Sequence, residues 1–278
     1  MTALPERRLS PTARRGRGLA GALWAQSRAE VVKVLRTPEY LVGVVVLPAI
    51  LFSMFGLAQS SQKLPSGTGV GVILFGSFAC YGVVSQSLFS MGGDIAQERA
   101  KGWLRRLFAT PMPMMAYFVG KLVLNIVFSV AIVLLISAVA LVGGIRFELG
   151  PWAGASATAV AGSIAFATTG TAIAYWVRTR AATTIVNLVF LPLSFLSGYF
   201  MPLSALPKVF GDIAPWMPTH HLGMLVWTSL APKEELGFLG VTADFSPLRS
   251  WAIVVGWSVV LAVVTALGYR RAARREQP

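Results

Sequence analysis

Ser197-Gly198 together with His220 or His221 supplies, in residue type, the nucleophile and base of a hydrolase, since a serine hydroxyl attacks only when a positioned imidazole takes its proton. An intramembrane hydrolase built on Gly-x-Ser-Gly would need glycine at 195, where Phe195 stands. The His pair lacks a third ligand at metal-binding spacing, so the two imidazoles are expected to be solvated loop histidines. Gly120-Lys121 is a Gly-Lys pair, but a phosphate-binding loop would need glycine at Met115 and Ser or Thr at Leu122. The chain is therefore expected to bind no cofactor and no metal. Cys80, the sole cysteine, excludes an internal disulfide and a cysteine metal cluster, and packing is its expected role.

A different chemistry, that of docking, is written between residues 97 and 111. Gln97-Glu98-Arg99-Ala100-Lys101-Gly102-Trp103-Leu104-Arg105-Arg106-Leu107-Phe108 places Leu104, Leu107 and Phe108 at i, i+3 and i+4. A short helix there would present one apolar knob ringed by arginines, ended by Thr110-Pro111 and Pro113. Docking on a partner and simple interfacial burial fit this pattern equally.

The elements that must hold these residues are membrane helices. Tyr40–Gln62, Leu64–Gly93, Leu122–Ile145, Leu149–Val177, Ala181–Pro207 and Ser250–Tyr269 each run for 20 residues or more without Asp, Glu, Lys or Arg. A helix of about 20 apolar residues crosses the ~30 Å hydrocarbon core, so six spans are expected. The segments alternate in charge: residues 1–39, 94–121, 178–180 and 270–278 hold 19 Lys and Arg against 6 acids, while the other side is balanced at 5 against 5. Lys and Arg resist translocation, which predicts cytoplasmic termini in a plasma (inner) membrane. The same rule and anionic lipid account for Arg7, Arg8, Arg14, Arg15 and Arg17. Without interleaved aromatics or a binding fold, this cluster gives no nucleic-acid partner.

Within the span cores no group is ionisable, which disfavours a proton-driven carrier. Gln86, Asn125 and Asn187 are the most polar side chains there and are expected to make interhelical hydrogen bonds. Ala155, Ala159, Ser163, Ala167 and Thr171 recur every fourth residue, a small-residue stripe suited to close helix packing, with a pore lining as the alternative. Leu19 to Thr37 reads as an amphipathic helix, with Leu23, Trp24, Val31, Val34 and Leu35 near one face and Gln26, Glu30 and Lys33 opposite. From Ile213 to Pro232 a charge-free, proline-bearing stretch reads as a re-entrant or interfacial hairpin. The expected fold is an all-α membrane protein of six transmembrane helices with an N-terminal amphipathic helix and that hairpin between spans five and six. It forms a single domain over 1–278, with a tail and amphipathic helix in 1–38, the bundle in 39–270 and a tail in 271–278.

Glu98, Gly102, Leu104, Leu107, Thr110-Pro111 and Gly120-Lys121 resemble the Glu-(x)3-Gly-Thr-Leu...Leu...Thr-Pro...Gly-Lys signature of the type 2 ABC transporter permeases, with Trp103 in place of the usual Thr. Phe195-Leu196-Ser197-Gly198, Met201-Pro202, Leu206-Pro207 and Pro218 resemble that family's second signature. The resemblance implies a permease subunit, not an enzyme, paired with a second permease copy, as a homodimer or pseudo-dimer. Two cytoplasmic ABC ATPases would carry the ATP and Mg. It makes Glu98, Arg99, Gly102, Leu104, Arg105, Leu107, Phe108, Thr110 and Pro111 the coupling segment. Gln86, Asn187, Ser197, Gly198, Pro202 and Pro207 become candidates for the transport pathway and re-entrant region. The implied activity is export of a hydrophobic or amphipathic substrate, as in drug, natural-product, lipid or glycan efflux. The alternative is a membrane-embedded lipid-processing enzyme or a secondary carrier.

Overall fold

The computed structural model describes residues 19–103, 106, 109, 112–177 and 181–275. Among them every regular element is a helix, with no strand. The main helices are α1 (Leu19–Leu35), α2 (Pro38–Gln59), α3 (Val70–Ala100), α4 (Met114–Val142), α5 (Leu149–Trp176), α6 (Ala182–Leu196), α7 (Pro218–Leu230) and α8 (Pro247–Arg275). Five of them, α2, α3, α4, α5 and α8, are long and apolar enough to cross a membrane. Two helices widen locally into a π turn, at Leu41–Val46 in α2 and Phe89–Gly93 in α3.

The fifth apolar run, expected from Ala181 to Pro207, is helical only over Ala182–Leu196. Fifteen residues rise about 22 Å, less than the hydrocarbon thickness. Gly198 stops this helix at φ +79, and Tyr199 and Gly198 donate back to the carbonyls of Ser194 and Phe195, the bonding of a Schellman end. Between Leu203 and Trp216 the chain makes only short helical turns, and then α7 runs through the stretch expected as a hairpin. It is buried almost all round, from Thr219 to Trp227.

α3 is the centre. It packs against α2, α4, α5, α6 and α7, and its buried positions run unbroken from Phe75 to Leu88. The small-residue stripe of α5 is buried at every position from Ala155 to Thr171. Its Ser163 carbonyl accepts from Ser87 of α3 at 2.9 Å and from Asn125 of α4 at 3.0 Å, and Thr171 meets Thr265 of α8. Small side chains bring these backbones close, and dispersion then replaces the hydrophobic drive that lipid does not supply.

Candidate coupling site

Where α3 ends, an ion cluster ties three helices together. Glu98 accepts from Lys33 of α1 at 2.6 Å, from Lys121 of α4 at 2.7 Å and from the Tyr117 hydroxyl at 2.6 Å. Lys121 also lies 3.0 Å from Glu30 of α1, whose other cation is Lys33 at 2.9 Å. Lys121 is fully buried and the Glu30 side chain is only 4% exposed. Two carboxylates and two ammonium groups thus neutralise each other, the arrangement that makes buried charge tolerable. Burial alone would favour a neutral Lys33 amine, but the carboxylates of Glu98 and Glu30 outweigh it and raise its pKa above the ordinary lysine value. Lys33 therefore stays charged across the physiological range.

The local sequence explains the placement. Gly120 lets α1 lie directly on α4: a Cβ there would stand 2.8 Å from Gln26 Cγ and 3.4 Å from backbone atoms of Gln26 and Ser27. Gly-Lys thus has a reading that spacing alone did not reveal, with the glycine admitting the α1 backbone and the lysine binding the α1 carboxylate. Gly102 has φ +66, a left-handed conformation that costs glycine little, and it turns the chain out of α3 into the coupling segment. Arg99 is turned inward, donating to the Ala174 carbonyl at the end of α5 and stacking 4.7 Å from the Tyr175 ring centroid.

The amphipathic reading of α1 is corrected at Glu30. The helix exists as expected, but Ser27, Glu30 and Val34 form its buried face, while Trp24 and Leu35 point outward. The buried lysine of α4 draws Glu30 in, whereas helix periodicity assigns any carboxylate to solvent. Glu30, Lys33, Tyr117 and Lys121 were absent from the expected site. A signal existed in their spacing, since Tyr117, Lys121, Asn125 and Ser129 of α4 and Gln86, Ser90, Asp94 and Glu98 of α3 each recur every fourth residue. The two helices run antiparallel, for Glu98 meets Tyr117 and Lys121 while Gly82 sits against Ile132, and the two polar lines join at the Glu98 end, whereas Gln86 bonds Tyr40 of α2 and Asn125 bonds Ser163 of α5. Beside them lies a cleft of about 690 Å³ lined by Glu30, Lys33, Tyr40, Asp94, Trp103 and Arg106, among others.

Of the other expected residues, Leu104, Arg105, Leu107, Phe108, Thr110 and Pro111 lie outside the described residues. Gln86 accepts a hydrogen bond from Tyr40 of α2 at 3.0 Å. Asn187, expected to bond between helices, donates instead to the Thr183 carbonyl within α6 and is exposed. Ser197 is buried and bonds Thr219 of α7, Pro202 is half-buried and Pro207 exposed. Among the described residues, Gln86, Asn187 and Ser197 bond to Tyr40, Thr183 and Thr219 and not to one another. The histidines are not solvated. His220 and His221 are buried on α7, with His220 against the Ser197 carbonyl and His221 between Ser250 and the Pro215 carbonyl. Among the described residues no group of three metal-ligating side chains converges.

The sequence model of the ABC-2 type transporter family matches residues 21–227. The chain belongs to that family. This ABC-2 permease is also 25% identical, over 209 residues, to a Bacillus subtilis (strain 168) protein named "Putative transport permease YvfS", an alignment covering 74% of this chain and 84% of that protein. Membership makes the chain a multi-pass membrane transport permease and implies an ATPase subunit as its partner. The matched region runs from the start of α1 to Trp227 in α7 and includes every member of the ion cluster.

Proposed function

We propose that this permease is the membrane half of an ATP-driven exporter, moving a hydrophobic or amphipathic molecule out of the cytoplasm by alternating access. A second copy completes the transport cavity, and ATP and Mg are handled on a separate cytoplasmic ATPase. In this reading α6 is a sixth span, short and continued by the turns to Pro207, α7 is a re-entrant helix sheltered by α3, α5 and α8, and both termini are cytoplasmic. The charge asymmetry of the loops supports that orientation. The observation that carries the proposal is the ion cluster at the root of the coupling segment. Glu98 stands four residues before Gly102 and is held to α1 and α4 at once, so displacement of the segment by a closing ATPase pulls on three helices together. Two states then differ in how the cavity opens, and transport gains a direction only if they also differ in cargo affinity.

The test is co-purification of the ATPase, with ATP hydrolysis, from membranes at matched permease expression. Leu107→Asp is expected to abolish co-purification, because a docked apolar knob would bury an unpaired carboxylate at a cost of several kcal/mol. Glu98→Ala is expected to keep the ATPase bound and to lower hydrolysis, since it detaches the segment from α1 and α4 without altering the knob. In the same cells, with Cys80→Ser as background, a cysteine at Arg146 should react with an impermeant thiol reagent and one at Arg274 should not. Normal co-purification with Leu107→Asp defeats the coupling reading, and outside labelling at Arg274 defeats the topology.

A further inference from the structure

A groove at the Pro247 end of α8 takes no part in the coupling described above. Pro215 and Trp216 line one side, and Arg249, Ile253, Gly256, Trp257 and Val260 line the other, around a volume of about 460 Å³. Its walls are tied, because the Trp257 indole donates to the Trp216 carbonyl at 3.1 Å. Gly256 leaves room in it: a Cβ there would meet nothing within 4 Å. Beyond it Val263 and Leu267 are exposed along α8, so the helix stays apolar past the groove. Arg249 stands at the mouth, its side chain 70% exposed and paired only loosely with the equally exposed Asp244 at 3.7 Å. Such a pair contributes little in water, so the guanidinium keeps donors for a stronger anion.

We propose that this groove binds one anionic phospholipid, with its phosphate on Arg249 and one acyl chain lying along Ile253, Gly256 and Val260 beside the two indoles. Charge and shape both favour an amphiphile, since a single cation heads an otherwise apolar slot. Length agrees as well. Arg249 to Val260 is a rise of about 16 Å along the helix, and one leaflet's share of the hydrocarbon core is about 15 Å. Trp216, 73% exposed, would sit at the headgroup boundary, where indole rings are enriched. A guanidinium also matches phosphate geometry in two parallel hydrogen bonds, which an ammonium does not. The proposal rests on α8 crossing the bilayer and on neither the ATPase nor the direction of transport, so the coupling test and this one fail separately.

The experiment is native mass spectrometry of the purified permease in detergent, titrated with dioleoyl phosphatidylglycerol or dioleoyl phosphatidylcholine. Wild type should hold one phosphatidylglycerol per chain saturably, in preference to phosphatidylcholine. Arg249→Gln should weaken that binding about tenfold by removing the charge-assisted bonds, and Gly256→Leu should do the same by filling the slot. Both positions are exposed or open, so the lipid-free melting temperature should not move. Binding within threefold of wild type in either variant overturns the proposal. A Gly256→Leu variant that loses dimer while keeping lipid overturns it too, and assigns the face to a second copy of the chain.

Discussion

α3 and α8 are both long apolar helices, and the most apolar stretch of α8 is the more hydrophobic of the two, yet they occupy different surroundings. Over the most apolar stretch of each, 83% of the residues of α3 are buried inside the protein and 11% of those of α8. Five helices surround α3, while α8 leans chiefly on α5 and α7. The difference lies in side-chain size and in polar lines. α3 admits neighbours on several sides through glycines such as Gly82, which faces Ile132 of α4 and Pro48 of α2, and Gly92, which faces Gly170 of α5. It also carries a polar line that other protein must cover. α8 presents valines outward, which lipid solvates as well as protein does. Hydropathy therefore marks what enters the membrane, and small and polar positions mark what lies at its centre.

The sharpest way to break this comparison is to unbalance the polar line at its charged end. Lys121→Ala leaves Glu30 and Glu98 sharing only Lys33. Removing one partner of a buried ion pair costs roughly 3 to 5 kcal/mol, so the melting temperature in detergent should fall further than for any exposed charge, and Glu30→Gln in the same chain should recover part of the loss. An unchanged melting temperature would mean that water already screens the cluster. A smaller effect is expected from Gly82→Val, whose Cβ would stand 2.5 Å from Ile132 Cγ2 and 3.2 Å from Pro48. Overpacking of this kind costs about 1 to 3 kcal/mol and should lower folded yield and melting temperature together. The smallest effect belongs to α8. Val259→Leu, on its outward face, should stay within about 0.5 kcal/mol of wild type, and a loss as large as that of Gly82→Val would show that α8 is covered by protein.

The elements that span were legible because uncharged runs of 20 residues have no soluble counterpart, and the α5 stripe was legible because four-residue spacing of small side chains has a direct packing meaning. Asn125 was expected to bond between helices and does so to Ser163. What escaped depends on partners that are distant in sequence. Glu30 turns inward only because Lys121, 91 positions later, is buried against it. His220 and His221 are buried because α7 is roofed by α3, α5 and α8, while prolines at 215 and 218 read locally as loop. The end of α6 at Leu196 turned on Gly198, quoted in a family signature yet not read as a helix stop. For the coupling segment, the resemblance named Glu98 but not its partners, and its bonds run to Lys33, Tyr117 and Lys121 of its own chain.

The π turn at Phe89–Gly93 lies between Gln86 and Asp94, in the middle of the polar line of α3. Side chains four apart on a regular helix drift steadily round the axis, since 3.6 residues make a turn, whereas a π turn takes more residues to close. The wide turn delays the rotation and returns Asp94 and Glu98 to the side on which Gln86 already stands. It works as a phase corrector, one surplus residue that keeps the two ends of a long helix pointing the same way. Shortening α3 by one residue there, with its composition otherwise intact, would swing Glu98 by about 100° away from Lys33 and Lys121. The residue count of this helix is therefore as much a part of the ion cluster as the charges are.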